Sequence, residues 1–109
     1  MIGFDDAILE EIGQEAREAV LPYSRECVYF IKDINTNNVK VGRTKNINRR
    51  FKELQEPSLV RLEIFHLVYT DNSRWLEKWF HVTFKRYHLW GEVFNLPIEV
   101  LNAVKEGMD

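Results

Sequence analysis

CVYFIKDINTNNVKVG, residues 27–42, decides the fold. Residues 26–34 crowd β-branched and aromatic side chains together and predict a strand. Asn35-Thr36-Asn37-Asn38 is turn chemistry, because asparagine tolerates the left-handed backbone region. Val39-Lys40-Val41-Gly42 predicts a short returning strand, so residues 27–42 read as a β-hairpin.

Outward from the hairpin, Thr44 or Asn46 can cap a helix running to about Gln55, with Ile47, Phe51 and Leu54 on one face and Pro57 as its stop. VRLEIFHLVY, residues 60–69, alternates around Leu62, Ile64, Phe65 and Leu67 and predicts a third strand. Asp71, Asn72 or Ser73 then caps a helix over SRWLEKWFHVTFKRY, residues 73–87, whose scattered apolar positions imply burial on more than one side. GEVFNL, residues 91–96, reads as a short strand or extended segment. Pro97 and Gly107 bracket a last helix, at its first turn and just past its end. Upstream, DDAILEEIGQEAREAV, residues 5–20, has apolar residues at helical spacing and ends at Leu21-Pro22. The expected fold is α+β: one domain over residues 1–109, with a small antiparallel three-stranded sheet flanked by helices. Residues 1–22 form its acidic N-terminal helix, 26–96 its core and 97–107 its C-terminal helix.

The chain has 109 residues, 45% hydrophobic and 29% charged, as expected of a soluble globular domain. No apolar run is long enough to span a bilayer, so no membrane partner is expected. The acidic N-terminus lacks the basic region that precedes a secretory signal. Cys27 is the single cysteine, which leaves no disulfide framework and no cysteine-based zinc site, and points to a reducing, cytoplasmic setting.

The net charge of −2 hides a polarity. Residues 1–26 carry seven acids against Arg17 and Arg25, a balance of −5. Residues 39–52 carry Lys40, Arg43, Lys45, Arg49, Arg50 and Lys52 with no acid. Residues 74–88 carry Arg74, Lys78, Lys85 and Arg86 against Glu77, a balance of +3. Such local patches attract a polyanion whatever the total charge. Charge alone leaves a solvated helix face equally open.

The hairpin and following helix carry a pattern. Val28-Tyr29-Phe30 precedes Lys40-Val41-Gly42, with eleven residues from Tyr29 to Lys40 and ten from Lys40 to Arg50. Gly42, Thr44, Asn46, Ile47 and Arg50 fit G-x-[ST]-x-N-[LI]-x-x-R. Over residues 26–96 this resembles the GIY-YIG nuclease superfamily, in its compact phage and bacterial branch where KIG or KVG replaces YIG. LEKWFH, residues 76–81, resembles the segment carrying that family's metal-binding glutamate, and GEVFNL its closing segment with an asparagine. The chain departs from the family pattern in Lys40, in the missing glycine of the first triplet and in having no histidine after Arg50 within the helix.

The resemblance implies a catalytic set of Tyr29, Lys40, Arg50, Glu77 and His81. Tyr29 would be the general base, needing a pKa below its free value of about 10. Lys40 would lower that pKa or hold a phosphate. Arg50 offers a planar, always-charged fork to phosphate oxygens and would stabilise charge at phosphorus. Glu77 would hold Mg²⁺ or Mn²⁺. His81, four residues on and so on the same helix face, would orient Glu77, contact a phosphate or shuttle a proton. Gly42, Arg43, Lys45, Arg49 and Asn95 would contact nucleic acid, DNA in the first instance, with Gly42 allowing close backbone approach. Each residue also has a bland reading: Tyr29 a core aromatic, Lys40 a solvent-facing strand residue, Glu77 a surface carboxylate paired with Lys78 or Arg74, His81 structural, Asn95 a cap on the last helix.

Two functions follow as expectations. One is a metal-dependent endonuclease. The other keeps the fold with weak or no catalysis and binds nucleic acid or a protein partner, as a phage effector would. The N-terminal helix would then be a contact surface or a cover over the basic face.

Overall fold

A computed structural model describes residues 25–107. The expected helix over residues 5–20 lies outside the described residues. Strands β1 (Cys27–Asp33) and β2 (Val39–Thr44) form the expected antiparallel hairpin. Its turn closes as the asparagines dictate. Asn37 takes φ 65°, the Asp33 carboxylate accepts from the Asn35 and Thr36 amides at 2.7 and 3.2 Å, and the Asn37 amide donates to the Asp33 carbonyl at 2.8 Å.

Helix α1 (Ile47–Gln55) starts at Asn46, whose side chain accepts from the Arg49 amide at 3.0 Å. Ile47, Phe51 and Leu54 pack beneath the sheet with Cys27, Tyr29 and Ile31. Strand β3 (Leu62–Tyr69) lies on the other side of β1. Its register shifts by one residue: Phe30 opposes His66 while Ile31 opposes Ile64. Phe65 is the extra residue of this bulge, which explains two adjacent apolar residues within an otherwise alternating run. Leu62 and Leu67 consequently face α1, while Phe65 and Val68 face the opposite side.

Helix α2 (Ser73–Thr83) is capped by Asn72, which accepts from the Trp75 amide at 3.4 Å. Leu76, Phe80 and Phe84 make its core-facing line, while Trp75, Trp79 and Val82 stay exposed. This helix is therefore buried along one face and is shorter than its sequence pattern suggests. The backbone turns at Phe84 into a short 3₁₀ segment, Lys85–Tyr87. Strands β4 (His88–Trp90) and β5 (Val93–Phe94) follow, and α3 (Ile98–Gly107) closes the chain.

The sheet has five strands in the order β3-β1-β2-β5-β4, every pair antiparallel, rather than the three expected. GEVFNL does supply a strand, β5, but pairs with an unexpected β4. The fold is α+β with α1 on one sheet face and α2 and α3 on the other, the second side holding the larger core around Phe30, Phe80 and Phe94. No helix among the described residues is long and apolar enough to cross a membrane.

Candidate functional site

The hairpin register sets Tyr29 opposite Gly42. Tyr29 is 1% exposed, and its ring fills the space above Gly42. The glycine therefore makes room for the tyrosine ring rather than for an incoming ligand. From α1 beneath, Arg50 Nε donates to the Tyr29 hydroxyl at 3.3 Å. Arg50 Nη1 reaches Glu53 Oε1 at 3.4 Å. The Arg50 amide is anchored on the Asn46 carbonyl at 3.0 Å, so the cap that starts α1 also aims this arginine at β1.

Burial pushes the Tyr29 hydroxyl above its ordinary pKa, and the Glu92 and Glu77 carboxylates push it the same way. Arg50 opposes them, through its hydrogen bond and its charge. The positive partner of Tyr29 is thus Arg50 and not Lys40, and the expected depression of its pKa is reversed. Lys40 Nζ instead faces Glu92 Oε1 at 3.9 Å. Arg50 in turn is held further toward its charged form by the Tyr29 hydroxyl.

Glu77, on α2, is half-buried. Desolvation raises its pKa, and the neighbouring Glu92 carboxylate raises it further; His81 and Arg43 pull it down. Lys78 and Arg74 are not its partners. His81 Nε2 lies 2.7 Å from the Val41 carbonyl oxygen and its ring meets Phe94 edge-on at 4.9 Å. The ring thus holds α2 against β2, next to Glu77 in charge terms but tied to backbone.

Glu92 escaped the sequence reading. It sits in the turn between β4 and β5, and its carbonyl accepts from the Val41 amide at 2.9 Å. That bond extends the β2–β5 pairing, which otherwise ends at Lys40–Val93. It brings the Glu92 carboxylate beside Glu77, Lys40 and Tyr29. The available signal was Gly91-Glu92 between His88-Leu89-Trp90 and Val93-Phe94, a two-residue hairpin loop with its glycine at φ 49°.

Among the other candidates, Arg43 follows Val41 on β2 and acts on both Glu77 and Glu26. Lys45 and Arg49 are exposed around the start of α1. Lys52 faces Glu56 at 3.9 Å, one helical turn on. Asn95 is not brought to the centre. Its amide donates to the Tyr87 carbonyl at 2.8 Å, and the β5 register carries it past Val39, toward the hairpin turn. His88 Nε2 bonds the Gly91 carbonyl at 2.8 Å and serves the β4–β5 turn.

Tyr29, bonded to Arg50, thus lies within electrostatic reach of Glu77 and Glu92 near the middle of β2, with Lys40 facing Glu92 and Arg43 acting on Glu77. The described residues hold no group of three or more His, Cys, Asp or Glu side chains able to bind a metal by themselves. Two neighbouring carboxylates are a hard, oxygen-only donor set. That suits Mg²⁺ or Mn²⁺, which keep waters and take substrate phosphate as ligands, and does not suit zinc. A divalent cation there would also relieve the Glu92 repulsion that, after burial, raises the Glu77 pKa.

No curated protein and no solved structure matches the chain. Residues 26–109, from the start of β1 through α3, match the T5orf172 domain. The chain belongs to the T5orf172 domain family.

Proposed function

We propose that the protein is a metal-dependent endonuclease that hydrolyses phosphodiester bonds in nucleic acid, DNA first, by a GIY-YIG-like route. The observation that carries this is the bond from Arg50 Nε to the Tyr29 hydroxyl, beside the Glu77–Glu92 carboxylates. Membership of a phage-type, nuclease-associated family supports it, as does the basic edge around β2 and α1.

Tyr29 takes the proton from the attacking water. It does so as the phenolate, its own proton having gone first to solvent, and it returns to the neutral phenol; the hydrogen bond and charge of Arg50 favour that phenolate before the transfer. The same guanidinium faces charge growing on the phosphorus oxygens. Glu77 and Glu92 would hold Mg²⁺ or Mn²⁺, which supplies Lewis-acid polarisation of the phosphate. Burial holds the Tyr29 pKa up and the two carboxylates add to it; with their charge neutralised by a cation, only the carboxylate share would be relieved. Lys40 and Arg43 steer and hold flanking phosphates, and Lys45 and Arg49 add general attraction. His81 holds α2 on β2 and so positions Glu77.

Supercoiled-plasmid cleavage in Mg²⁺ or Mn²⁺ tests this, with Glu77→Ala and Arg50→Ala proteins of matched fold alongside. Metal-dependent nicking lost in both variants is expected. Cleavage by Glu77→Ala at the parent rate sinks the mechanism.

The raised Tyr29 pKa favours one other reading: a T5orf172 module that binds nucleic acid or a protein partner without turnover. It predicts salt-sensitive binding and an uncut plasmid.

A further inference from the structure

One same-face step along the sheet from the Tyr29–Gly42 pair, four residues stand in a row across four strands. Ile31 opposes Lys40, Lys40 opposes Val93, and Val93 opposes Trp90. Directly opposed residues on neighbouring strands project from the same face. The row lines a cavity of about 410 Å³, which Leu54 of α1 and Asn38 of the hairpin turn also line. Trp90, at its end, is 61% exposed.

An exposed indole beside an apolar floor, with a lysine within it, has the make-up of a base-stacking platform. The floor excludes water from one face of a ring, and Trp90 supplies the stacking partner. Lys40 lines the cavity and its Nζ lies 3.9 Å from Glu92 Oε1, so this one side chain links the cavity to the carboxylate pair. Two residues at ~3.4 Å each separate the two rows by about 7 Å along the strands. A phosphate held at Arg50 would therefore place an adjoining nucleoside at the cavity mouth.

We infer that this cavity is a subsite for an unpaired nucleobase, stacked on Trp90, with Lys40 on the phosphate that leads into it. The inference rests on the proposed nucleic-acid function and adds a substrate class to it: a strand that is single, frayed or flipped at this position. A base inside an intact duplex has no free face for Trp90.

The test uses the full chain without metal, carrying Trp75→Phe and Trp79→Phe so that Trp90 is the reporting indole. It is titrated with a single-stranded oligothymidylate and with an abasic oligonucleotide of equal length and phosphate number. The thymidylate is expected to quench Trp90 and to bind about tenfold tighter than the abasic strand. Trp90→Ala, followed by fluorescence anisotropy of a labelled strand, should bring the two affinities together, while Trp90→Phe keeps most of the difference. Equal affinities for both strands, with no quenching of Trp90, overturn the subsite. The two failures are separable. Plasmid cleavage with equal affinities removes the subsite and keeps the nuclease. Base-dependent quenching with no cleavage keeps the subsite and removes the nuclease.

Discussion

The ring of Tyr29 occupies the space that a side chain at Gly42 would need. A Cβ added there would stand 2.5 Å from the ring Cζ and 3.0 Å from Cε1, and nearer still to the hydroxyl. Neither strand can yield easily, because β1 is paired on both edges. Gly42→Ala should therefore cost about 1–3 kcal/mol in denaturant unfolding, as overpacking does. It should also tilt Tyr29 away from Arg50 and abolish cleavage. Adding Tyr29→Ala should recover part of the stability and none of the activity. A Gly42→Ala protein as stable and active as the parent would show that the ring moves freely.

Arg50 carries a prediction that separates charge from geometry. Its hydrogen bond and its charge both lower the Tyr29 pKa, against burial and two carboxylates. Arg50→Ala should move the Tyr29 ionisation to still higher pH in ultraviolet titration. Cleavage should fall by about 10²–10³, the usual loss for one donor to developing charge. Arg50→Lys should restore little, since an ammonium lacks the fork that serves hydroxyl and phosphate together. A Tyr29 titration unchanged in Arg50→Ala would break the link.

Glu92→Gln tests the carboxylate pair. Removing its charge should lower the raised pKa of Glu77 and weaken Mn²⁺ binding by about tenfold or more, read by calorimetry. In the parent, Mn²⁺ binding should fade with acid at a higher pH than an ordinary carboxylate would give, because protons compete for Glu77 sooner. Mn²⁺ affinity identical in parent and Glu92→Gln would exclude Glu92 from the site.

Glu26 predicts a stability effect of the opposite sign. Its carboxylate accepts from the Ser73 amide at 3.1 Å and from the Ser73 hydroxyl at 2.5 Å, at the start of α2. These bonds hold its pKa below the ordinary 4.5. The stabilisation is present above that ordinary value and is lost as pH falls through the lower folded one. Ser73→Ala should lower the melting temperature near neutrality, and the gap from the parent should close in acid. A gap that stays constant with pH would mean that Ser73 matters for packing alone.

Much of the frame could be read in advance because its signals are local. Asn37 announced a left-handed turn residue, and Asn46 and Asn72 announced helix starts; all three do so through bonds within a few residues. Tyr29 and Arg50 were each singled out by motif spacing, but not as partners: the charge expected beside Tyr29 was that of Lys40, which faces Glu92 instead. The rest depended on contacts distant in sequence. Nothing local in FKRYHLW says that α2 stops at Thr83, since the apolar period continues beyond it. Missing that stop hid β4, and with it Glu92, whose place depends on the Val41–Glu92 backbone bond. The Tyr29 pKa was unreadable for the same reason: its direction is set by burial and by carboxylates arriving from α2 and from the β4–β5 turn.

The unequal lengths of strand pairing set a gradient of local opening. β1 is bonded along its length to β2 and β3, whereas β5 holds β2 through Val39, Lys40 and the Val41–Glu92 bond. Amide exchange should be slowest at Val28 and Phe30 and fast in β4 and β5. Tyr29 rides on the strand that opens last, and Glu92 on the hairpin that opens first. The carboxylate pair can come apart and reform while the tyrosine stays seated, so in the proposed hydrolysis the breathing of a small hairpin, rather than chemistry at phosphorus, would set the rate.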